Sequence, residues 1–158
     1  MGFVIGAKID ETYSSSTLQT SGKGFGLGDL YAANDGRIYK FVLFSNGTGD
    51  VAAAAGNVCY YVAETGAETW TVTSDLSDGN GIGAGVFQSV PADGEYCWVQ
   101  IKGPATLTTA LTAGADGNAL TAVGATDGTL DVSALVTDVI VAHAIDASAK
   151  KIICDFPW

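Results

Sequence analysis

The chain has 158 residues, 47% hydrophobic and 15% charged, and its seven Lys and Arg face seventeen Asp and Glu for a net charge of −10. That length can bury one core without disulfides or metals, and the apolar content excludes a disordered chain. So few basic side chains, none of them clustered, disfavour nucleic-acid binding, which depends on neutralising phosphates; an anionic surface suits solubility or docking onto a basic protein patch. Charged residues fall below the usual fraction of about a quarter. The apolar surplus is read either as surface buried between subunits or as an ordinary core of small Ala and Val.

The chain opens with MGFVIGAKIDE, which lacks the basic and long apolar regions of a secretory signal. No stretch approaches the roughly 18 consecutive apolar residues of a membrane span, so the expectation is a soluble protein made inside the cell. After Phe3, Val4 and Ile5 comes a polar, turn-rich stretch with few core candidates. Residues 1–24 are read as an arm that orders against a partner, or as an edge strand plus a loop. Residues 25–158 form the folded domain. The glycine-rich run 22–28 (GKGFGLG) lacks the order of a phosphate-binding loop and is read as a turn.

Beyond the arm, strand-like runs alternate with turn dipeptides. Asp-Gly occurs at Gly36, Gly79, Gly94, Gly117 and Gly128, and Asn-Gly at Gly47 and Gly81; such pairs accept the positive φ of tight turns. Residues 37–44 (RIYKFVLF) and 58–63 (VCYYVA) are apolar on both faces, as strands covered on both sides are. Residues 52–55 could supply one helical turn. Residues 68–73 (ETWTVT) read as a strand with Trp70 and Val72 on one face. In residues 95–102, Cys97, Val99 and Ile101 share a face opposite Tyr96, Trp98, Gln100 and Lys102. Residues 132–143 fit a strand or an amphipathic helix, with strand preferred for the β-branched content. Residues 138–145 and 150–156 read as a closing hairpin around a turn at 146–149. The expectation is an all-β fold: a compact β-barrel or β-sandwich of short antiparallel strands with an N-terminal arm.

Reactive groupings are scarce. His143, the single histidine, lies between Ala142 and Ala144 with no GxSxG motif anywhere, and is read as a core or rim residue. Asp75, Asp78 and Asn80 lack the order of a calcium loop and are read as a solvated turn. Gly79 to Gly85 carry no dinucleotide fingerprint. Cys59, Cys97 and Cys154 are odd in number, widely spaced and set in apolar runs, so they are read as reduced, buried small hydrophobes, consistent with a cytoplasm. No catalytic, cofactor or metal site is expected.

The aromatics suggest partner contacts instead. An exposed Trp or Tyr buries much area at low entropic cost, although core filling is the simpler role for each. Residues 155–158 are expected to be pinned, either on the chain's own barrel or on a neighbour. The candidate interface residues are Phe3, Val4, Ile5, Tyr96, Trp98, Phe156 and Trp158.

Four segments together resemble the small decoration (cement, or head-auxiliary) proteins of tailed bacteriophage capsids. They are residues 26–44 (GLGDLYAANDGRIYKFVLF), residues 85–105 with the YCWVQIKGPA run, the small-residue repeat 113–128, and the final strand pair 139–156. The resemblance covers roughly residues 26–156, and departs in residues 63–83. It implies a β-barrel or sandwich, without catalytic residues, that binds the outside of an assembled shell through the major capsid protein, often as a homotrimer at local three-fold positions. The implied location is the virion exterior after synthesis in the host cytoplasm. The alternative is a tail or fibre module or a carbohydrate-binding domain, with Tyr96, Trp98 and Gln100 meeting the sugar.

Overall fold

A computed structural model describes residues 2–20 and 24–158. Met1, and Gly22 and Lys23 of the glycine-rich run, lie outside the described residues. The strands are β1 (Leu30–Ala32), β2 (Ile38–Phe44), β3 (Val58–Val62), β4 (Thr71–Thr73), β5 (Gly79–Phe87), β6 (Tyr96–Thr106), β7 (Ala119–Thr121), β8 (Asp131–Val132), β9 (Ala142–Asp146) and β10 (Lys151–Asp155). Two short helices, α1 (Ser15–Thr20) and α2 (Gly66–Thr69), and a 3₁₀ turn at Leu76–Asp78 accompany them. The fold is all-β.

The sheet order is β1-β2-β4-β3-β5-β6-β10-β9-β7-β8, and an additional β2–β6 pairing closes β2, β4, β3, β5 and β6 into a five-stranded barrel. The expectation of uniformly antiparallel strands fails at one seam. β2 and β4 run parallel, with Leu43 opposite Thr71 and Phe44 opposite Val72. Closure of an odd number of strands requires such a seam, because alternating directions cannot return in phase. β6 is eleven residues long and serves two structures. Its first half pairs with β2 and β5 inside the barrel wall; its second half pairs with β10, which carries β9, β7 and β8 outward.

The period of two read in residues 95–102 is present. Cys97, Val99 and Ile101 enter the main core with Val42, Phe44, Val58 and Phe87. Trp98 faces the other way, into a second cluster with Tyr13, Tyr39 and Phe41. That second cluster explains why β2 is apolar on both faces: one side fills the barrel, and the other is roofed by the chain's own N-terminal residues. Tyr13 exchanges two backbone hydrogen bonds with Tyr96, at 2.9 and 2.8 Å, and is 2% exposed. Phe25 adds edge contacts to Trp98 and Tyr13, with ring centroids 5.3 and 5.8 Å apart.

Three local readings are corrected. Residues 68–73 are not one strand: α2 ends at Thr69, and Trp70 caps it in the left-handed region at φ 54° before β4 begins. Residues 132–143 are neither a continuous strand nor a helix; β8 ends at Val132 and β9 starts at Ala142. Asp138 holds the intervening loop by accepting from the Ala134 and Leu135 amides at 2.9 Å each, a local alternative to regular pairing. Residues 52–55 form no helix. The dipeptide turns fare better: every Asp-Gly or Asn-Gly glycine has positive φ except Gly79, which leaves the 3₁₀ turn extended at φ −87°.

Candidate protein-docking surface

The candidate interface residues fall in different places. Phe3 and Ile5 are 67% and 98% exposed, while Val4 packs against the second cluster and donates its amide to the Leu30 carbonyl. Tyr96 is half-buried and stacks on Phe41. Trp98 is 0% and Phe156 1% exposed, so neither offers surface to a partner. Alternation cannot tell Trp98's face from a solvent face, because a distant segment roofs it, and the pinned end of which Phe156 is part docks on the chain's own barrel. The same roof removes the sugar-binding platform proposed from Tyr96, Trp98 and Gln100, since Gln100 is buried and its amide nitrogen is spent on the carbonyls of Lys102, Gly103 and Pro104. Trp158 remains half exposed, with the Lys102 ammonium 5.5 Å from its ring centroid.

Around Trp158 the structure assembles a surface the sequence did not disclose. Tyr61, Trp70, Ile82, Val139, Pro157 and Trp158 line a groove of about 260 Å³ at the end of the barrel. Trp70 reaches it from the left-handed helix cap, a conformation that costs a bulky residue roughly 1–3 kcal/mol and recurs at binding sites. Gly28 lies against the indole: a Cβ there would sit 2.7 Å from Trp70 Cε2. The lining residue Val139 belongs to the 133–141 loop, which also exposes Leu135 and Val136, the latter completely. The periodicities read over 68–73 and 132–143 do not predict this meeting, because a helix cap and a loop bring Trp70 and Val139 to the strand residues Tyr61 and Ile82.

Beneath the groove lies Lys40, wholly buried on β2. Its Nζ donates to Tyr61 Oη at 3.0 Å and to the Pro157 carbonyl at 2.8 Å, and stands 4.7 Å from the Trp70 ring centroid. This ammonium holds the chain end over the barrel mouth. Burial lowers its pKa to about 8 from the ordinary 10.5. Between those values the unfolded chain binds a proton the folded chain does not, so Lys40 makes stability rise with pH across that window. Urea denaturation of the parent and Lys40→Met at the two ends of the window is expected to show the parent gaining on the variant as pH rises. Comparing the two proteins cancels the cysteine and tyrosine contributions. A constant difference would refute the assignment.

Elsewhere the polar groups serve the fold. Asp75 accepts from the Ser77 amide and hydroxyl, and Asp78 from the Thr48 amide and hydroxyl, so these acids cap turns. Hydrogen bonding to Thr48 lowers the Asp78 pKa. Among the described residues no group of three or more His, Cys, Asp or Glu is placed to hold a metal ion. His143 lies on the exposed face of β9 opposite Ile153, not in the core. Cys59, Cys97 and Cys154 are free and buried, and burial raises all three thiol pKa values. A larger open cleft of about 730 Å³ is lined mainly by small residues at 110–116 and 147–148 and brings no reactive group together. No helix among the described residues is long and apolar enough to cross a membrane.

Fold and surface together define an all-β barrel protein with an aromatic, apolar groove at one end. The chain matches no family model, no curated protein and no solved structure.

Proposed function

We propose that this chain is a structural virion protein that binds the outer surface of an assembled phage capsid and stabilises it, acting as a trimer. The observation that carries the reading is the meeting of exposed Val139 and Trp158 with Trp70 and Ile82 in one apolar groove of a strongly anionic chain. Such a patch is unfavourable in water and gains roughly 25 cal/mol for each Å² of apolar area covered. The sequence resemblance supplies the partner. Its most distinctive run, YCWVQIKGPA, begins β6, the strand that both closes the barrel and carries the outer hairpin.

A protein that binds only the assembled shell stabilises it by mass action, as a ligand stabilises a fold. Many copies adding about a few kcal/mol each would resist the pressure of packaged DNA. Trimerisation adds avidity, because three contacts engage together. The test is co-sedimentation with shells assembled from the major capsid protein encoded in the same genome, together with light scattering of the free chain. The chain is expected to pellet with shells to saturation, to raise their disruption temperature, and to scatter with the mass of three chains. A chain left in the supernatant at every concentration would end the shell reading, and a monomeric mass would end the trimer.

A further inference from the structure

We infer that the Trp70–Trp158 groove receives a segment of the shell subunit in which an apolar side chain is flanked by Lys or Arg. This rests on the shell-binding reading above and names the face and the partner chemistry. The groove walls are the rings of Tyr61, Trp70 and Trp158 with Ile82, Val139 and Pro157 between them, so the inserted group is apolar. The indole of Trp70 is held from behind by Gly28 and Lys40, which makes the pocket pre-formed rather than induced.

Charge selects the flanks. Exposed Glu64 and Glu68 stand in the chain on either side of the lining residue Ala67, whereas the Asp138 carboxylate, next to Val139, is taken up by its own loop. The cations nearest the groove are already engaged: Lys40 is buried beneath it, and Lys102 is paired with Asp155. Arg37 and Lys151 instead border a separate cavity at the start of β10, whereas the groove lies beyond that strand's end. Acidic side chains next to an aromatic floor attract Lys or Arg by charge and by ring contact.

Two measurements test this. Trp158→Ala and Val139→Asp, both at exposed positions and with melting temperatures checked against the parent, are expected to weaken shell binding at least ten-fold. The double variant Glu64→Gln/Glu68→Gln is expected to weaken it several-fold and to flatten its salt dependence. Ile153→Ser, on the outer face of β10, should bind like the parent. If the parent binds shells and the groove variants bind equally well, the inference fails while the shell reading stands. If Trp158→Ala instead converts a trimer to monomers without affecting shell affinity per chain, the groove belongs to a sister subunit and the inference is again wrong.

The second measurement needs no shell. Amide chemical shifts are followed on titration with the blocked tetrapeptide Lys-Leu-Leu-Arg and with its Glu-Leu-Leu-Glu counterpart. The expected result is movement at Ala67, Ile82, Val139 and Trp158 with the basic peptide alone. No movement there, or equal response to both peptides, overturns the inference whatever the shell experiment shows.

Discussion

Trp98→Ala is expected to destabilise the protein by about 3–5 kcal/mol, the usual range for removing a fully buried aromatic. Trp98 has no exposed surface, and its ring lies 5.0 Å from Phe41, 5.3 Å from Phe25 and 6.3 Å from Tyr31 by centroid. Its loss removes the floor on which the N-terminal stretch rests, so the effect has a local signature as well as a global one. Hydrogen exchange at Tyr13 and Tyr96, which bond each other's backbones, should accelerate beyond the global change. Trp98→Phe is expected to lose less than half as much. The indole Nε1 is buried without a hydrogen-bond partner among the described residues, so the variant sheds an unsatisfied donor along with the lost area. Equal losses for Ala and Phe in urea denaturation would contradict this account of the second cluster.

Phe156→Ala is expected to cost a similar amount, about 3–5 kcal/mol, whereas Trp158→Ala should stay within about 1 kcal/mol. The two residues are neighbours in the chain with opposite environments. Phe156 is 1% exposed, donates its amide to the Ile101 carbonyl at 3.0 Å, and lies so close to Gly83 that a Cβ there would sit 2.8 Å from its ring. The segment is therefore pinned on the chain's own barrel through Phe156 and through the Lys40–Pro157 contact. Trp158 lies beyond that anchor. In denaturant, a large loss for Phe156→Ala and a small one for Trp158→Ala would separate the residue that holds the fold from the one free to meet a partner. Comparable losses would mean that Trp158 also belongs to the core.

The pH dependence of Lys40 links these two themes. Its ammonium costs desolvation, yet it ties Pro157 to β2 and backs the Trp70 ring, so the end of the chain and the groove wall share one buried donor. A nonpolar substitute would fill the space but free the Pro157 carbonyl. The groove is thus coupled to the barrel interior through a single side chain.

The sequence by itself determined the local features whose causes are local. Asp-Gly and Asn-Gly pairs turn the chain because glycine tolerates positive φ, and six of those seven glycines have it. Alternation along residues 95–102 separates Cys97, Val99 and Ile101 from Trp98, because successive side chains of a strand point to opposite sides. The all-β class, the final hairpin and the buried cysteines follow from the same short-range rules. Tertiary structure alone decided what covers each face. Trp98 fits either core filling or a partner contact on sequence, and Tyr13, 85 residues earlier in the chain, decides for burial by roofing it. Lys40 has no role of its own in a run read as apolar on both faces, and only barrel closure encloses it with Tyr61. Trp70 reads as a strand residue until a left-handed cap turns it toward Val139 and Trp158, 69 and 88 positions further on by number. Propensity and periodicity act over a few residues, whereas burial is fixed by segments that meet only when the sheet closes.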